Sequence, residues 1–415
     1  MKNKSLTPQI RFKGYDDEWQ QAKVKDVFTL GNGYTPSKAN PAYWTGGTIP
    51  WFRMEDIREN GRVLSDSIQH VTPEAVKSSG LFPAGSIIVS TTATIGEHAL
   101  LIADSLANQQ FTIFQTVNRW SWLKAKYLLY RFYGLGDWCR KNVNAGGLAA
   151  VSITDLQKYD IDFPSTAEER DSIADYFDNI DKLLIDTERE ITRLEKMKQA
   201  SLQKMFPRPG ETTPEIRFKG FSDEWLYTEL ISFVGIYGGL TYTPSDIRES
   251  GTLVLRSSNV KRGSIVNADN IYVDSKCVNI DNVREGDIIM VVRNGSISLI
   301  GKHGQIMSPM PQTVIGAFMT GFRTKYPSFV NALFDTILFS NEIDKNKGAT
   351  INQITNGMLK QMKFYIPRDE SEQKAIGDYF RNLDALISAK RQKLEKLQNL
   401  KQACLDKMFI NTTAQ

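Results

Sequence analysis

Two long stretches of the chain carry apolar residues at seven-residue spacing, which is the pattern of a helix that packs along one face against another helix. In the first stretch these residues are Ile173, Ile180, Leu194 on one heptad position and Phe177, Leu184, Ile191, Met205 on the other. In the second they are Ile376, Leu383, Leu397 and Phe380, Ile387, Leu394, Met408. Lys198, Lys390 and Lys401 interrupt the pattern, which argues against an extended fibre.

The ends of both helices are marked in the sequence. Pro164 and Pro367 precede the two stretches, and acidic residues suited to a first turn follow each proline. We predict helices over 168–206 and 371–409, each about 58 Å long at ~1.5 Å per residue. Pro207-Arg-Pro-Gly210 ends the first helix, and a short linker follows it.

The remaining two stretches predict α/β domains with short strands. Ser86–Thr91 and Asp287–Val292 are β-branched runs that follow a glycine turn. Leu123–Trp138 and Phe329–Ile343 favour helix near the end of each stretch. The pattern predicts an α+β chain with two α/β domains, 1–165 and 211–366, and two helical segments, 166–210 and 367–415.

The chain is a duplicated scaffold with two different middles. The opening motif Pro8–Trp19 recurs as Pro214–Trp225, and Phe163–Phe206 matches Ile366–Phe409 without a gap. Between these segments only islands match, such as Tyr34-Thr-Pro-Ser37 with Tyr242-Thr-Pro-Ser245. A shared scaffold with diverged middles indicates two related surfaces for two different ligands.

Composition narrows the class of protein. The 415 residues contain no apolar run of membrane-spanning length and no apolar leader, so we expect a soluble cytoplasmic protein. Cys139, Cys277 and Cys404 are scattered and offer neither a disulfide framework nor metal-ligand spacing. The formal net charge of +4 is too small to indicate nucleic acid by itself.

No catalytic or cofactor motif stands out. Asn40-Pro-Ala-Tyr43 is similar to the Asn-Pro-Pro-Tyr motif of amino-methyltransferases, but it lacks the second proline, and we interpret it as a turn. There is no phosphate-binding Gly-x4-Gly-Lys-Ser/Thr loop, and His70, His98 and His303 are isolated. We therefore expect no catalytic residue, no metal and no cofactor in this chain.

The full series of segments, present twice in register, resembles the specificity subunits of type I restriction-modification systems over essentially the whole chain. The marks are the opening Arg11–Trp19, Gly85–Ser90 with Ile95-Gly96, Asn108-Gln-Gln-Phe111, Gly348–Thr355, and the Phe/Ile-Pro then Glu-Arg/Gln that begins each helix. The second copy departs from the pattern, because Met310-Pro-Gln312 is its nearest match to Asn-Gln-Gln.

The resemblance implies two target-recognition domains joined by two long antiparallel helices that form a coiled-coil spacer, with a pseudo-two-fold internal repeat. Each variable domain would read one half of an asymmetric bipartite site in double-stranded DNA. The helices would set the gap and dock two modification subunits, packing along Ile180, Leu184, Ile191, Leu383, Ile387 and Leu394. S-adenosylmethionine would belong to the modification subunits, and ATP and Mg²⁺ to restriction subunits.

Basic and amide side chains in loops beside the strands are the candidate DNA contacts, because Arg and Lys match guanine edges while Asn and Gln match adenine edges. They are Lys38, Arg53, Arg58, Arg62, Asn108 and Gln109 in the first domain, and Arg256, Asn259, Lys261, Arg262, Arg293 and Asn294 in the second. Each could contact a base, a phosphate or only solvent. Rival hypotheses are an unrecognised nuclease or methyltransferase and a coiled-coil scaffold without a DNA role.

Overall fold

The computed structural model of the chain describes residues 6–144, 149–261, 263–346 and 353–410. Its packing divides the chain into two compact units. The first unit comprises Met1–Thr187 and Lys393–Gln415, and the second unit comprises Glu188–Gln392. Both divisions fall inside the long helices, so each unit contains one variable middle together with a part of each long helix.

The first unit contains a five-stranded, a three-stranded and a two-stranded sheet. Its strands are β1 (Gln20–Lys23), β2 (Phe28–Asn32), β3 (Ile49–Phe52), β4 (Val63–Leu64), β5 (His70–Val71), β6 (Ile87–Ser90), β7 (His98–Leu101), β8 (Leu106–Ala107), β9 (Phe111–Thr116) and β10 (Asp160–Phe163). Its helices are α1 (Val24–Val27), α2 (Met54–Asn60), α3 (Ala125–Lys141), α4 (Ile153–Leu156) and the start of α5 (Ala167–Met205). The strand orders are β2-β9-β6-β7-β4, β5-β3-β8 and β1-β10.

The second unit repeats this plan with larger sheets. Its strands are β11 (Leu226–Glu229), β12 (Gly235–Gly238), β13 (Ile247–Arg248), β14 (Thr252–Leu255), β15 (Val260–Lys261), β16 (Gly263–Ile265), β17 (Ile271–Val273), β18 (Ile288–Val291), β19 (His303–Gln305), β20 (Thr313–Ile315), β21 (Met319–Arg323) and β22 (Lys363–Ile366). Its helices are α6 (Pro327–Phe334), α7 (Ile337–Asn346), α8 (Asn356–Gln361) and the start of α9 (Glu370–Met408). The strand orders are β12-β21-β18-β19-β16-β15, β13-β17-β14-β20 and β11-β22.

The predicted long helices are confirmed, since α5 and α9 each begin and end one residue before the predicted bounds. Within each unit the two helices run antiparallel. In the first unit Tyr176 and Asp181 of α5 contact Cys404 and Lys401 of α9. In the second unit matching contacts are formed by Ser201 with Tyr379 and by Lys198 with Asp384. Of the predicted packing residues, Ile180, Ile191, Leu383 and Ile387 are buried, while Leu184 and Leu394 are half-buried.

Aromatic side chains join a helix near the end of each variable middle to the sheet of the same unit. Phe132 of α3 meets Phe114 of β9 edge-on at 5.0 Å between ring centroids, and Phe334 of α6 meets Phe322 of β21 at 4.9 Å. The second copy departs from the prediction of one helix over Phe329–Ile343. It forms α6 and α7 instead, because Thr336 starts a new helix by accepting a hydrogen bond from the Phe339 amide with its hydroxyl.

Each opening motif forms a strap, by which we mean residues 8–19 in the first unit and 214–225 in the second. Arg11 donates two hydrogen bonds, at 2.7 and 2.8 Å, to the carboxylate of Glu169 in the first turn of α5. The Ile10 amide donates to the carbonyl of Lys407, at the end of α9. The second strap repeats both contacts, with Arg217 on Glu372 and the Ile216 amide on Lys204. A strap thus fastens the start of one long helix to the end of the other.

A buried ion pair distinguishes the two cores. Arg131 of α3 and Asp162 of β10 are almost completely buried against each other, with the Tyr159 hydroxyl accepting from Arg131 at 3.2 Å. Asp162 corresponds to Tyr365 in the register of β22, and Arg131 corresponds to Leu333, because the neighbouring pairs His98–Phe132 and His303–Phe334 match. The same fold therefore accepts an apolar side chain in place of the arginine.

We predict that Arg131→Leu lowers the free energy of unfolding by about 3–5 kcal/mol, because it leaves the Asp162 carboxylate buried without its partner. The double variant Arg131→Leu/Asp162→Asn removes the charge as well and should lose clearly less. Denaturant unfolding of both variants measures the difference. Equal losses would show that the carboxylate is not the cause.

Candidate nucleic-acid interface

The first unit gathers several candidate residues where two parallel strands end. Strands β3 and β8 are parallel, so Arg53 and Asn108, which follow them, lie at the same edge of the sheet. The loop after β2 closes on this edge, because the Tyr34 amide donates to the Ala107 carbonyl at 2.8 Å. Gly33 permits this approach, since a Cβ there would collide with the backbone of Asn108.

Trp51 of β3 supports the positive charge at this edge. The guanidinium of Arg53 lies 5.6 Å from the Trp51 ring centroid, and the Lys38 ammonium lies 5.8 Å from it. The exposed side chain of Gln109 is hydrogen-bonded to the Thr35 hydroxyl. The first edge therefore presents two cations and an amide around a buried indole.

The second unit builds the corresponding edge from different side chains. Strands β14 and β20 are parallel, and Arg256 follows β14. The Asn294 side chain donates to the Ser257 hydroxyl at 3.2 Å, which brings the residues after β18 to the same place. Exposed Arg293 lies over the ring of Phe318, 5.0 Å from its centroid.

Other candidates lie elsewhere. Arg58 and Lys261 are exposed, on α2 and β15 respectively, and Arg262 lies outside the described residues. Arg62 is tied to its own unit, because it donates to Glu97 and to the His98 carbonyl and covers the Tyr133 ring.

The environment of Asn259 corrects its assignment as a DNA contact. Asn259 is 0% exposed, and its amide donates to the carbonyls of Val266 and Ala268 while its oxygen accepts from the Arg256 amide. It shapes the loop and has no accessible group for a base.

Sequence reasoning missed the aromatic residues that support the cations. Trp51 is only 2% exposed, yet its ring lies against both Arg53 and Lys38. Phe318, beside Arg293, is 54% exposed and belongs to no motif recognised in the sequence. An arginine directly after a strand with an aromatic residue two positions earlier was the available signal for the first edge.

The described residues contain no group of three or more His, Cys, Asp or Glu placed to hold a metal ion. Asn40 accepts a hydrogen bond from the Ala42 amide and caps the short turn that follows, as expected for a turn residue. No helix in the described part of the chain is long and apolar enough to span a bilayer.

Two lysines at equivalent positions of the helix seam are neutralised in different ways. Lys401 donates to Asp181 at 2.5 Å and to the Tyr133 hydroxyl at 3.1 Å. Lys198 donates to Asp384 at 2.6 Å and, where the first unit has Tyr133, to Asp335 at 2.7 Å. Burial lowers the pKa of Lys198, but the two carboxylates outweigh burial and raise it overall.

The extra carboxylate also separates the two buried histidines. Burial, with the nearby charge of Arg62, lowers the pKa of His98 to about 3. Burial would lower the pKa of His303 too, but the Asp335 carboxylate, 3.3 Å away, raises it above its ordinary value. His98 thus stays neutral, whereas His303 carries its proton more readily.

The duplication seen in the structure coincides with a known sequence family. The family model of the type I restriction modification DNA specificity domain matches residues 16–196 and again residues 223–399. The chain belongs to this family. The resemblance found in the sequence is thereby confirmed, and the specificity-domain repeat accounts for the two units.

Named relatives carry the same family description. The specificity subunit of the type I restriction enzyme EcoprrI from Escherichia coli is 44% identical over 162 residues, 39% of this chain and 40% of that protein. The MjaVIII specificity subunit from Methanocaldococcus jannaschii is 23% identical over 293 residues, 67% of this chain and 68% of that protein. The match to the first of these specificity subunits thus spans about two-fifths of its length.

Solved structures agree on the specificity-subunit fold. The S subunit of a type I restriction-modification system from M. genitalium has a TM-score of 0.66 at 14% identity, covering 98% of this chain and 100% of that one. A chain from a structure of complex assembly and conformational transition in the type I R-M system has a TM-score of 0.55 at 17% identity, covering 94% and 97%. At these identities the likeness establishes the fold alone.

Because the pKa values of His98 and His303 are shifted in opposite directions, we predict that the stabilities of the two units depend on pH in opposite ways. His303 has a raised pKa in the folded state, so its contribution is present below the ordinary value of 6.5 and is lost as the pH rises through the folded pKa. His98 has a lowered pKa, so the first unit should lose stability as the pH falls below about 6.5. Hydrogen-exchange protection of β19 and β7, followed against pH, measures each unit separately.

Replacement of each histidine supplies the control. His303→Gln should flatten the alkaline decline of protection in β19 and leave β7 unchanged, and His98→Gln should remove the acid decline in β7. An unaltered β19 profile in His303→Gln would show that this histidine does not govern it.

Proposed function

We propose that the chain is the DNA-recognition subunit of a type I restriction-modification enzyme. Each unit reads one half of a bipartite site in double-stranded DNA, and α5 and α9 set the gap between the halves. The observation that carries the proposal is the contrast between identical supporting contacts and different edges. The strap contacts recur in both units, as does the lysine–aspartate contact of the helix seam, while most side chains presented at the two strand edges differ.

The differing positions can be paired through the backbone. Thr92 bridges Ala150 in the first unit, and Arg293 bridges Gln353 at the corresponding place in the second. One copy therefore offers a hydroxyl where the other offers a guanidinium. Because a base contact depends on the donors and acceptors of one side chain, the two halves of the site should differ in sequence.

A duplicated apolar surface supports two copies of one protein partner. The first unit exposes Ile10, Leu183 and Leu400, and the second exposes the equivalent Ile216, Leu386 and Met197; all six side chains are 44–47% exposed. In the second unit Met197 and Ile216 line one groove of about 300 Å³. We assign these equivalent exposed side chains to the docking of two modification subunits.

The chemistry of the enzyme would then lie in its partners. In this proposal the modification subunits bind S-adenosylmethionine and methylate adenine, and the restriction subunits use ATP and Mg²⁺. The rival hypothesis of a coiled-coil scaffold gives no reason for two different strand edges on one fold. The rival hypothesis of an enzyme finds no group of three or more His, Cys, Asp or Glu placed to hold a metal ion among the described residues.

Exchange of one variable middle should change one half of the recognised site. The shared segments at both ends make residues 226–365 replaceable by the corresponding part of a relative. Methylation mapping of genomic DNA, with the modification subunits present, should show a new second half and an unchanged first half. If both halves change, or neither does, the assignment of one unit to one half-site is wrong.

Charged substitutions on the duplicated apolar surface should remove partners one at a time. Met197→Glu or Leu400→Glu should each reduce the complex from two modification subunits to one, and the double variant should bind none. Native mass spectrometry counts the bound subunits. Ile102→Glu is the matched control, because Ile102 is 51% exposed but lies in a variable middle. Full assembly by the double variant would place the docking surface elsewhere.

A further inference from the structure

One arginine is shared by the two divergent strand edges. Arg53 follows β3 and Arg256 follows β14, and both strands are the central members of equivalent arrangements, β5-β3-β8 and β17-β14-β20. In each arrangement one neighbour is antiparallel and the other parallel. The two arginines therefore occupy the same place in the two units.

The local backbone is the same at both positions. Arg53 has φ −130° and ψ 177°, and Arg256 has φ −126° and ψ 178°. The amide of each donates to a buried side-chain oxygen three residues later, that of Asp56 in one unit and that of Asn259 in the other. The carbonyl before each arginine accepts from the strand alongside, from the amides of Asn108 and Gly316 respectively.

The surroundings of the two arginines, by contrast, have diverged. Arg53 lies against the Trp51 ring, and its nearest carboxylate, that of Glu55, is 3.9 Å away. At the position of Trp51 the second unit has Val254, and Arg256 donates to the carboxylate and the carbonyl of Asp269, both at 2.6 Å. The guanidinium has thus been retained while the means of holding it has changed.

We propose that Arg53 and Arg256 are the shared phosphate contacts of the two units and do not read bases. The inference rests on the proposed function. A residue that is the same in two readers of different sequence cannot carry the difference between them. The DNA backbone is the part of the ligand that both half-sites have in common, and contacts to phosphate fix register without specifying sequence.

In the protein without DNA, the two arginines differ in how closely a carboxylate neutralises them. Asp269 partly neutralises Arg256 and must be displaced or shared when a phosphate arrives, whereas among the described residues the carboxylate nearest the Arg53 guanidinium is that of Glu55, at the longer distance of 3.9 Å. Removal of the Asp269 charge should therefore strengthen binding to DNA of any sequence. The change should exceed that caused by Glu55→Gln.

The test uses the full chain and two duplexes, one carrying the sequence selected from a random duplex pool and one with that sequence scrambled. Binding is measured by fluorescence anisotropy over a series of KCl concentrations. Arg53→Ala and Arg256→Ala should each weaken binding to both duplexes by the same factor. Each should also reduce the slope of log affinity against log salt by about 0.9, the value for one lost phosphate contact.

Lysine variants separate the phosphate role from base reading and from a structural role. Arg53→Lys and Arg256→Lys keep the charge but lose the planar fork, so the salt slope and the selected sequence should both be retained. Arg284→Ala is the matched control. Arg284 lies near the opposite end of β20, because the amide of Val283 donates to the carbonyl of Thr313, and its loss should leave the slope unchanged.

Three results would overturn the inference. A changed base preference in any arginine variant would make that residue a base reader. An unchanged salt slope in both alanine variants would show that neither residue touches DNA. A salt slope that the lysine variants fail to restore, together with a lowered melting temperature, would assign the arginines to the fold. If the unsubstituted chain itself fails to prefer the selected duplex, the proposed function is what has failed.

Discussion

A buried carboxylate in the first turn of each long helix organises this chain. Glu169 and Glu372 are 0% and 1% exposed, and each receives a two-pronged hydrogen bond from the arginine of a strap. A carboxylate in such a place is costly to bury unless it is paired, so the strap has to lie where it does. The same strap also binds the last turn of the other helix through its backbone. Helix pairing, strap position and the placement of the strand that follows are therefore coupled.

The two copies show that one partner of each seam lysine is fixed while the other partner can change. The seam lysines need a negative or polar partner once they are half-buried, and each has one from the facing helix, Asp181 or Asp384. The second partner was free to vary, and it is Tyr133 in one unit and Asp335 in the other. That single difference places a carboxylate beside one buried histidine and leaves the other without one. The helices have stayed alike while the electrostatics of the two units have separated.

Local patterns in the sequence were sufficient for the helices and for the most buried strands. Heptad spacing defines a seam regardless of what lies beyond it, and the bounds of α5 and α9 follow from the prolines and acidic residues around them. The family resemblance came from short segments that occur in the same order in both halves of the chain. The seam residues Leu184 and Leu394 are only half-buried, whereas Ile387 and Ile191 at the equivalent positions are buried.

What the sequence did not reveal depends on particular hydrogen bonds and strand pairings, which the spacing of apolar residues does not show. Arg62 and Asn259 are residue types that suit DNA contacts, but hydrogen bonds to Glu97 and Val266 within the same unit occupy them. The break between α6 and α7 depends on one hydroxyl that competes with the backbone at Thr336. The equivalence of Arg53 and Arg256 became visible only when the strand pairings were known, because the sequences around the two residues share too little.

The division of the chain has a consequence for its synthesis on the ribosome. The second unit, Glu188–Gln392, is one continuous stretch, whereas the first unit needs Lys393–Gln415 to complete its core. Phe409, stacked on Phe177 at 5.7 Å and edge-on to Trp19 at 6.3 Å, emerges after the whole of the second unit. The half of the protein that is translated first is therefore the half that finishes folding last, and until then the apolar side chains awaiting Phe409 remain uncovered. In the nascent chain these side chains become covered only once the end of α9 has been made.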